Sequence, residues 1–389
     1  MLEPDTVMVR YDEIGVKSKQ VRRKMEALLE KNIENLLQDR EIGGEVNRAW
    51  SRLFIETEEP DRASKAAKDA FGVASASPAV KVAPEKGEIV ERVVELAQEK
   101  YNKGSFAVRA RRAGDKEAHD FTSQELDRDV GQAVADSIDS FKPEVDLDSP
   151  DITFYIECRQ DQAYLFTEKM EGPGGLPLGT QKKLAALISG GYDSPVAAWE
   201  VMKRGAEVVP VYFDLGKYGG PDHRARVTEI VETLQRYAPE RDMRIRRVPI
   251  GDHMEKLMEE TDKTRMLHYR RLMYRTAEII AEKEGCRGLV TGESIGQKSS
   301  QTVSNLGVAS EVVDLPVHRP LLSMDKKDIV ERAKEIGTHK GSKIPAGCVQ
   351  IAPDYPETHA ELEEIEEKEP EGLFEWAENA AENVDIQEV

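Results

Sequence analysis

Residues 184–195 have the sequence LAALISGGYDSP, in which an apolar run leads into two glycines, an aspartate and a serine. The run predicts a buried strand, and Pro195 suits the first turn of a helix. Between them, the glycines let the backbone wrap closely around an anion. Ser189 and Ser194 add hydroxyl donors, and the helix N-terminus adds N–H groups and partial positive charge. The Gly-Lys-Ser/Thr ending of a Walker A loop is absent, so the stretch predicts a phosphate loop of another kind.

Strand and helix patterns alternate on the C-terminal side of this loop. Strands are predicted at 184–189, 207–213, 244–249 and 288–291, and helices at 195–204, 222–237 and 266–285. Such alternation predicts a doubly wound parallel sheet, which binds ligands at the carboxyl ends of its strands. Residues 289–293 end one such strand, the polar loop 297–302 follows, and Lys326 supplies a cation for a polyphosphate. The predicted phosphate ligands in the loop itself are Ser189, Gly190, Gly191 and Ser194.

The N-terminal half has a different, α+β pattern. A strand at 6–10, a helix at 19–38 and a strand at 46–56 predict one small module, and alternating patterns from 62 to 171 predict a second. A Gly/Pro-rich linker follows. The predicted domains are 1–61, 62–171, a linker at 172–182, 183–359, and an acidic C-terminal helix or tail at 360–389.

Composition limits the class of protein. The 389 residues carry a formal net charge of −19, which argues against nucleic acid binding unless the surface is acidified for high salt. Local basic clusters survive at 22–24, 109–112 and 244–247, which favours a salt-adapted protein with retained basic patches. Three dispersed cysteines and the lack of a leader or a long apolar segment predict a reduced, cytoplasmic protein. The histidines have no metal-ligand spacing, so no protein metal site is predicted.

Taken in order, several motifs resemble the tRNA 4-thiouridine synthetase family, the tRNA uridine 4-sulfurtransferases. They are Tyr11-x-Glu13-Ile14-x-x-Lys17, Phe106-x-Val108-Arg109-x-Arg111-Arg112, Phe121-Thr122-Ser123-Gln124-Glu125, Gly174-Gly175-Leu176-Pro177-x-Gly179, the Ser-Gly-Gly-x-Asp-Ser run at 189–194, Arg270-Arg271-x-Met273-Tyr274-Arg275, Thr291-Gly292-Glu293-Ser294-x-Gly296-Gln297 and Met324-Asp325-Lys326. The match extends to about residue 356. It resembles the form of the family without a rhodanese domain, because the acidic C-terminal segment contains no cysteine.

The resemblance implies an α/β protein with three domains: a ferredoxin-like α+β domain, a THUMP domain that binds tRNA, and a doubly wound PP-loop domain of the adenine nucleotide alpha-hydrolase type. It implies activation of the uridine at tRNA position 8 by transfer of AMP from ATP with Mg²⁺, then replacement of O4 by sulfur. Asp193 and Lys326 match positions important for adenylation. The implied ATP contacts are Leu187, Ile188, Tyr212, Phe213, Arg270, Gly292 and Gln301.

The resemblance also assigns the sulfur chemistry to Cys348. The sulfur is expected to arrive as a persulfide from a cysteine desulfurase or as free sulfide, and Lys343 and His339 lie near enough in sequence to lower the thiol pKa. Cys286 is either a core residue or a thiol that resolves the persulfide, and an iron–sulfur site lacks the usual spacing. Cys158 is expected to pack in the core. A homodimer is a candidate assembly, and no membrane contact is expected.

The arginines at 109–112 are the candidate RNA contacts. Arg109 and Arg111 share one face of a predicted strand and Arg112 follows, so their charges can face phosphates. Two other functions stay open. One is a PP-loop ligase or amidotransferase acting on a small molecule, which would need neither Cys348 nor an RNA-binding half. The other is a tRNA-binding protein without catalysis.

Overall fold

The computed structural model describes residues 2–115, 117–138, 143–219, 221–298, 300–339 and 351–389. The chain divides into two compact units, residues 1–177 and 178–389. Within the described ranges, no helix combines the length and the apolar character that crossing a membrane requires. The predicted ends of the smaller domains remain predictions.

One mixed sheet organises the N-terminal unit. Its strands are β1 Thr6–Arg10, β2 Glu45–Ala49, β3 Arg52–Glu56, β4 Ser75–Val82, β5 Ser105–Arg112, β6 Glu144–Val145, β7 Ile152–Cys158, β8 Ala163–Phe166 and β9 Met170–Glu171. Their order is β2-β3-β1-β4-β8-β7-β5-β6, with β9 beside β4. The helices are α1 Lys19–Asp39, α2 Pro60–Ala67, α3 Lys86–Lys100 and α4 Ser123–Ser137. Because β4 pairs with β1 on one side and β8 on the other, both predicted modules share one sheet.

Helices cover one face of this sheet. The apolar side chains of β1, β3 and β4 pack with α1 and α2 in one core, and those of β5, β7 and β8 pack with α3 and α4 in another. Thr122 begins α4 with the predicted capping box, in which its hydroxyl accepts from the Glu125 N–H and the Glu125 carboxylate accepts from the Thr122 N–H. Cys158 lies in the second core, as predicted.

The other face, which lacks helices, curls onto itself. Arg52 on β3 and Glu157 on β7 are four strand steps apart, roughly 19 Å in a flat sheet, yet their side chains form an ion pair of 3.0 Å. The rings of Phe54 on β3 and Tyr164 on β8 stack with centroids 4.5 Å apart. Met8, Ala79 and Phe166 complete this buried cluster. The curl therefore buries a sheet face that would otherwise be open to water.

A parallel sheet organises the C-terminal unit, as predicted. Its strands are β10 Leu184–Leu187, β11 Val208–Asp214, β12 Ile245–Pro249, β13 Leu289–Val290, β14 Val317–His318 and β15 Asp385–Gln387, in the order β14-β13-β10-β11-β12-β15. The helices are α5 Asp193–Lys203, α6 Pro221–Gln235, α7 Gly251–Glu260, α8 Arg265–Lys283, α9 Val303–Ser310, α10 Lys326–Ile336, α11 Leu362–Glu367 and α12 Leu373–Glu382. The strand order reverses beside β10, where a doubly wound sheet opens its ligand crevice.

The acidic C-terminal segment is part of this unit. Helix α12 buries Leu373, Trp376, Ala377 and Ala380 in the core that contains α8. Strand β15 then pairs antiparallel with β12 and forms the edge of the sheet. The helix expected in this segment is present as α12, and a narrow stripe of apolar side chains packs it against the core.

Two local predictions differ from the structure. The strand predicted at 46–56 is a hairpin, β2 and β3, because Trp50 and Ser51 form a turn in which Ser51 has a φ of 60°. The central strand β4 had no strand prediction, and Pro78 within it is a residue that usually argues against a central strand.

Candidate active site

The glycine loop joins β10 to α5 at the switch point of the sheet. The Ser189 N–H donates to the Ser194 Oγ at 2.8 Å, and that hydroxyl lies 3.2 Å from the Ser189 carbonyl oxygen, to which it donates. The two side-chain oxygens are 3.0 Å apart, and the Gly191 N–H donates to the Ser189 Oγ at 3.4 Å. These bonds close the loop before any ligand arrives, so its remaining N–H groups sit on a fixed frame at a helix N-terminus.

Two glycines in this region are closely surrounded: Gly292 has no room for a side chain, and at Gly190 a side chain would require His223 to shift. A Cβ on Gly292 would lie 2.5 Å from the Ser194 backbone nitrogen and 2.6 Å from the Asp193 carbonyl carbon. A Cβ on Gly190 would lie 3.1 Å from the His223 Nε2. The segment after β13 therefore packs directly on the start of α5, which brings Gly292 to the loop as predicted.

Lys326 and Asp193 meet at this loop although 133 positions separate them. The Lys326 Nζ lies 2.7 Å from the Asp193 Oδ1 and 3.4 Å from the Gln297 Oε1, and 5.4 Å from the centre of the Tyr192 ring. Both charged side chains retain solvent access, with 47% of Lys326 and 27% of Asp193 exposed. The structure thus brings together the two predicted adenylation residues and adds Gln297, the first residue of the predicted polar loop.

A buried carboxylate, Glu293, organises the wall beside the loop. Its Oε2 accepts from the Tyr274 hydroxyl at 2.5 Å, the Thr291 hydroxyl at 3.0 Å and the Arg319 Nε at 2.8 Å. Its Oε1 lies 3.1 Å from the Arg270 Nε. Burial alone would raise the pKa of Glu293, but Arg270 and Arg319 outweigh it and hold the pKa below its ordinary value. Sequence reasoning missed this role because its partners lie on three separate segments.

Arg270 supports the polar loop that follows Glu293. Its Nη1 donates to the Ser300 carbonyl at 2.6 Å and its Nη2 to the Ser300 hydroxyl at 3.0 Å, and only 7% of the residue is exposed. Gln301, at the end of this loop, donates its N–H to the Lys298 carbonyl and accepts from the Gly296 N–H. Arg270 therefore reaches the predicted site by holding the segment that carries Gln297 and Gln301.

The other predicted nucleotide contacts lie at the carboxyl ends of β10 and β11. The Ile188 N–H donates to the Val211 carbonyl at 2.8 Å, which joins the two strands at this edge. Leu187 is half-buried, whereas the side chains of Ile188, Tyr212 and Phe213 are buried, so a nucleotide would meet these three through their backbone. The Tyr212 hydroxyl is hydrogen-bonded to the His223 Nδ1 at 3.0 Å.

His223 is a second residue that the sequence did not indicate. It lies on α6 with its Nε2 facing Gly190. Burial and the neighbouring Arg226 lower the pKa of His223, so a neutral imidazole borders the loop. No motif or spacing in the sequence marks this residue.

The cysteines have different outcomes. Cys348, with Lys343, lies outside the described residues, so its predicted role stays a prediction. Burial raises the pKa of the Cys158 thiol and of the Cys286 thiol to about 11 each. Cys286 packs in the core of the C-terminal unit, which favours the structural alternative for this residue. Across the described ranges, no three His, Cys, Asp or Glu side chains are grouped as metal ligands.

The candidate RNA contacts divide between two faces of β5. Arg109 and Arg111 are exposed on the face that lacks helices. The Arg109 Nη2 donates to the Leu147 carbonyl at 2.6 Å. Arg112 lies on the opposite face, where it donates to the Phe121 carbonyl and stands over that ring. The structure therefore does not bring Arg112 to the face of the other two.

The basic cluster at 244–247 is neutralised within the fold. Arg246 is buried and pairs with Glu284 at 2.7 Å and Asp242 at 3.2 Å. Arg247 lies 3.5 Å from Asp214 and 3.7 Å from Asp385 of the C-terminal strand. This cluster anchors the sheet edge, and its arginines are not an open basic patch.

Three family profiles match the chain. The profile described as "Thiamine biosynthesis protein (ThiI)" matches residues 179–374, "THUMP domain" matches 85–168 and "ThiI ferredoxin-like domain" matches 6–77. These matches agree with the fold expected from the sequence.

Similar proteins span nearly the whole chain. A probable tRNA sulfurtransferase of Halobacterium salinarum is 50% identical over 380 residues, covering 97% of this chain and 96% of the relative. One of Methanosarcina acetivorans is 40% identical over 373 residues, covering 94% and 90%. A crystal structure of a 4-thiouridine synthetase–RNA complex with bound ATP is 32% identical, with a TM-score of 0.83 over 99% of both chains. The structure of PH1313 from Pyrococcus horikoshii is 27% identical, with a TM-score of 0.65 over 85% of this chain and 99% of that chain.

Proposed function

This chain belongs to the ThiI family, and on that premise we propose that it is an ATP-dependent tRNA sulfurtransferase that converts a uridine, at position 8, into 4-thiouridine. The relatives named tRNA sulfurtransferase and the 4-thiouridine synthetase cover this chain almost from end to end, so the reaction applies to both of its units. The observation that carries the proposal is the 2.7 Å contact of Lys326 with Asp193 at the mouth of the glycine loop.

The first step is adenylation of the uridine. The uridine O4 attacks the α-phosphorus of ATP, the bond from that phosphorus to the bridging oxygen breaks, and pyrophosphate leaves. The loop N–H groups and Lys326 stabilise the charge that develops on the phosphates, an electrostatic role. Because Lys326 already lies beside Asp193, its ammonium is positioned before the substrate binds.

Magnesium fits this site through Asp193. Mg²⁺ commonly takes one or two protein carboxylates and completes its coordination with substrate phosphates and water. Asp193 is a partly exposed carboxylate in the loop and would hold the ion together with the triphosphate. When bound, Mg²⁺ supplies charge neutralisation on the departing pyrophosphate.

The second step replaces the activated oxygen. A sulfur nucleophile attacks C4, the C4–O4 bond breaks, and AMP leaves with the oxygen. If the nucleophile is a persulfide on Cys348, a second thiol must then cleave the sulfur–sulfur bond and form a disulfide. Both Cys158 and Cys286 are buried with pKa values raised to about 11, and Cys348 itself would carry the persulfide, so that thiol is better supplied by another molecule. Free sulfide as the nucleophile needs no such thiol.

The RNA-binding role belongs to the N-terminal unit. The THUMP profile covers β5 and its exposed Arg109 and Arg111. Double-stranded RNA is recognised largely through its backbone and shape, and a pair of exposed arginines on one strand suits phosphate contacts. The proposal also includes a homodimer, sulfur delivered as a persulfide from a cysteine desulfurase or as free sulfide, and a cytoplasmic location.

The test uses the purified full chain with ATP, Mg²⁺ and tRNA. We expect release of AMP and pyrophosphate that depends on tRNA, and 4-thiouridine in the nuclease digest by mass spectrometry once sulfide is added. Cleavage of ATP at the same rate without tRNA would favour the small-molecule ligase. Binding of tRNA without any pyrophosphate would favour the non-catalytic protein.

Cys348→Ser separates the two routes for sulfur. If a persulfide on Cys348 is the nucleophile, this variant still adenylates tRNA but forms no 4-thiouridine from a desulfurase. If free sulfide is the nucleophile, the variant retains thiolation with sulfide. In a deletion strain, persistence of 4-thiouridine in tRNA would contradict the substrate assignment.

A further inference from the structure

Trp50 is a large exposed aromatic ring in the N-terminal unit. It lies in the turn between β2 and β3 and keeps 64% of its surface exposed. The two other tryptophans of the chain, Trp199 and Trp376, are buried, at 3% and 9% exposure. An indole that stays exposed to water does not gain the favourable free energy of burying its apolar surface. Such a ring at the tip of a tight hairpin therefore suggests a contact with another molecule.

The backbone that presents Trp50 is held in place. Arg159, in the turn between β7 and β8, donates from its Nη2 to the Trp50 carbonyl. The same guanidinium stands 5.7 Å over the Phe54 ring and pairs with Glu157 at 2.9 Å. The hairpin tip is therefore tied to the THUMP part of the sheet, which presents the indole on a rigid support.

Positive charge is concentrated beside this ring. Arg52 and Arg159 both pair with Glu157, and Arg10 interacts with Glu157, Arg52 and Arg111. Three arginines, Arg10, Arg52 and Arg159, thus share Glu157, and Arg111 lies in register with this glutamate on the neighbouring strand β5. Burial first, and then Arg52 and Arg111, lower the pKa of Arg10 to about 10, which is still far above neutral pH, so Arg10 remains charged. In a chain with a net charge of −19, this local excess of positive charge complements a polyanion.

From this juxtaposition we propose that Trp50 is a stacking platform for an unpaired nucleobase of the tRNA, on the sheet face where the exposed Arg111 is available to its phosphates. The inference rests on the proposed function and adds a contact to it. Single-stranded RNA is commonly held by bases stacked on aromatic rings next to cationic side chains. The local positive charge favours RNA over a second copy of this chain as the partner. A second copy would present no nucleobases to the ring.

A stacking contact also suits an acidic, salt-adapted chain. Salt weakens phosphate contacts steeply, because binding releases counterions from the RNA. Base stacking displaces no counterion, so its contribution persists when arginine contacts are screened. Trp50 therefore supplies the part of the affinity that does not depend on salt.

The test compares tRNA affinity of full-length variants at low and high KCl. We expect Trp50→Ala to raise the Kd roughly 5- to 150-fold, the range for loss of one base stack, and by a similar factor at both salt concentrations. Trp50→Phe should retain most of the affinity. Arg111→Gln should weaken binding at low KCl, with a penalty that shrinks as KCl rises. Phe374→Ala removes an exposed ring of the C-terminal unit and is the matched control.

Fluorescence gives an independent reading. Because Trp50 is the exposed indole, tRNA should quench a part of the emission that Trp50→Phe removes. An unchanged Kd in Trp50→Ala, with circular dichroism and tRNA thiolation like the parent chain, would overturn the stacking proposal and leave the proposed function intact. Loss of self-association in that variant, with tRNA affinity unchanged, would assign the ring to a protein interface instead. Failure of the parent chain to bind tRNA would refute the proposed function itself.

Discussion

Replacing Glu293 with glutamine removes the charge that four side chains share. The amide keeps the size of the carboxylate, but Arg270 and Arg319 then lack their common counter-ion, and both are largely buried. Removing one partner of a buried ion pair typically costs about 3–5 kcal/mol, because the remaining charge stays desolvated. A domain is stable by about 5–15 kcal/mol, so this single change should remove a large fraction of the stability of the C-terminal unit.

The assay is urea unfolding at constant KCl, followed by tryptophan fluorescence in a Trp50→Phe background. Trp199 and Trp376 then report the C-terminal unit alone. We expect Glu293→Gln to lower the unfolding free energy by about 3–5 kcal/mol and to raise the KM for ATP, since Arg270 no longer fixes the Ser300 segment.

The control is Glu331→Gln. Glu331 pairs with Lys327 at 3.8 Å on the surface, with 55% and 82% of the side chains exposed. Such pairs contribute about 0–1 kcal/mol, so this variant should behave like the parent. If Glu293→Gln loses no more stability than Glu331→Gln, the carboxylate does not hold the wall of the site in the way described here.

Three further outcomes are expected. Burial, with Arg271 and Lys368 nearby, lowers the pKa of His268 from 6.5 to about 4. As the pH falls below 6.5, the unfolded chain binds a proton that the folded chain does not, so the free energy of unfolding should fall by about 3 kcal/mol by pH 4. His268→Leu should flatten this dependence on pH in urea melts. Gly292→Ala should lower the free energy of unfolding by about 1–3 kcal/mol and impair ATP cleavage, because the added Cβ would collide with the start of α5. Gly307 is in a helix with open space around it, so Gly307→Ala should raise the free energy of unfolding by about 0.5–1 kcal/mol in the same melts. Lys326→Met should lower pyrophosphate release roughly 10²–10³-fold with little change in melting, and equal loss in Lys327→Met would contradict a specific role.

The glycine loop could be predicted because its signal is local. Strand, glycines, hydroxyls and first-turn proline occupy twelve consecutive positions, and each has a physical meaning that does not depend on the rest of the fold. The Lys326–Asp193 contact is different in kind. The sequence suggested that Lys326 serves the phosphate site, but it could not place its ammonium beside the Asp193 carboxylate, 133 positions away.

The Glu293 network could not be read from the sequence in the same way. Its four partners lie 2, 19, 23 and 26 positions away in sequence, and none of these spacings is diagnostic of a site. A buried carboxylate is recognised only when its surroundings are known. The basic cluster at 244–247 illustrates the converse, because only Asp242 among its acidic partners is near in sequence, and Asp214, Glu284 and Asp385 come from distant segments.

The C-terminal segment had a signal that composition concealed. Leu373, Trp376, Ala377 and Ala380 recur at helical spacing, which predicts one buried stripe. The glutamates around them dominated the composition and suggested a solvated helix or tail. Strand β4 was missed because serine, alanine and lysine make up most of its eight residues and only its two valines favour a strand.

The shared strand β4 also limits how this protein can be recombined with its relatives. In a chimera joined between residues 60 and 85, β1 and β8 would come from different proteins. One edge of β4 would then pair with a strand from a protein other than its own. A joint near residue 178 would instead transfer β4 with both of its neighbours and the Arg52–Glu157 pair. Exchange of tRNA preference between relatives should therefore succeed as a transfer of the entire first 177 residues, and fail as a transfer of either half.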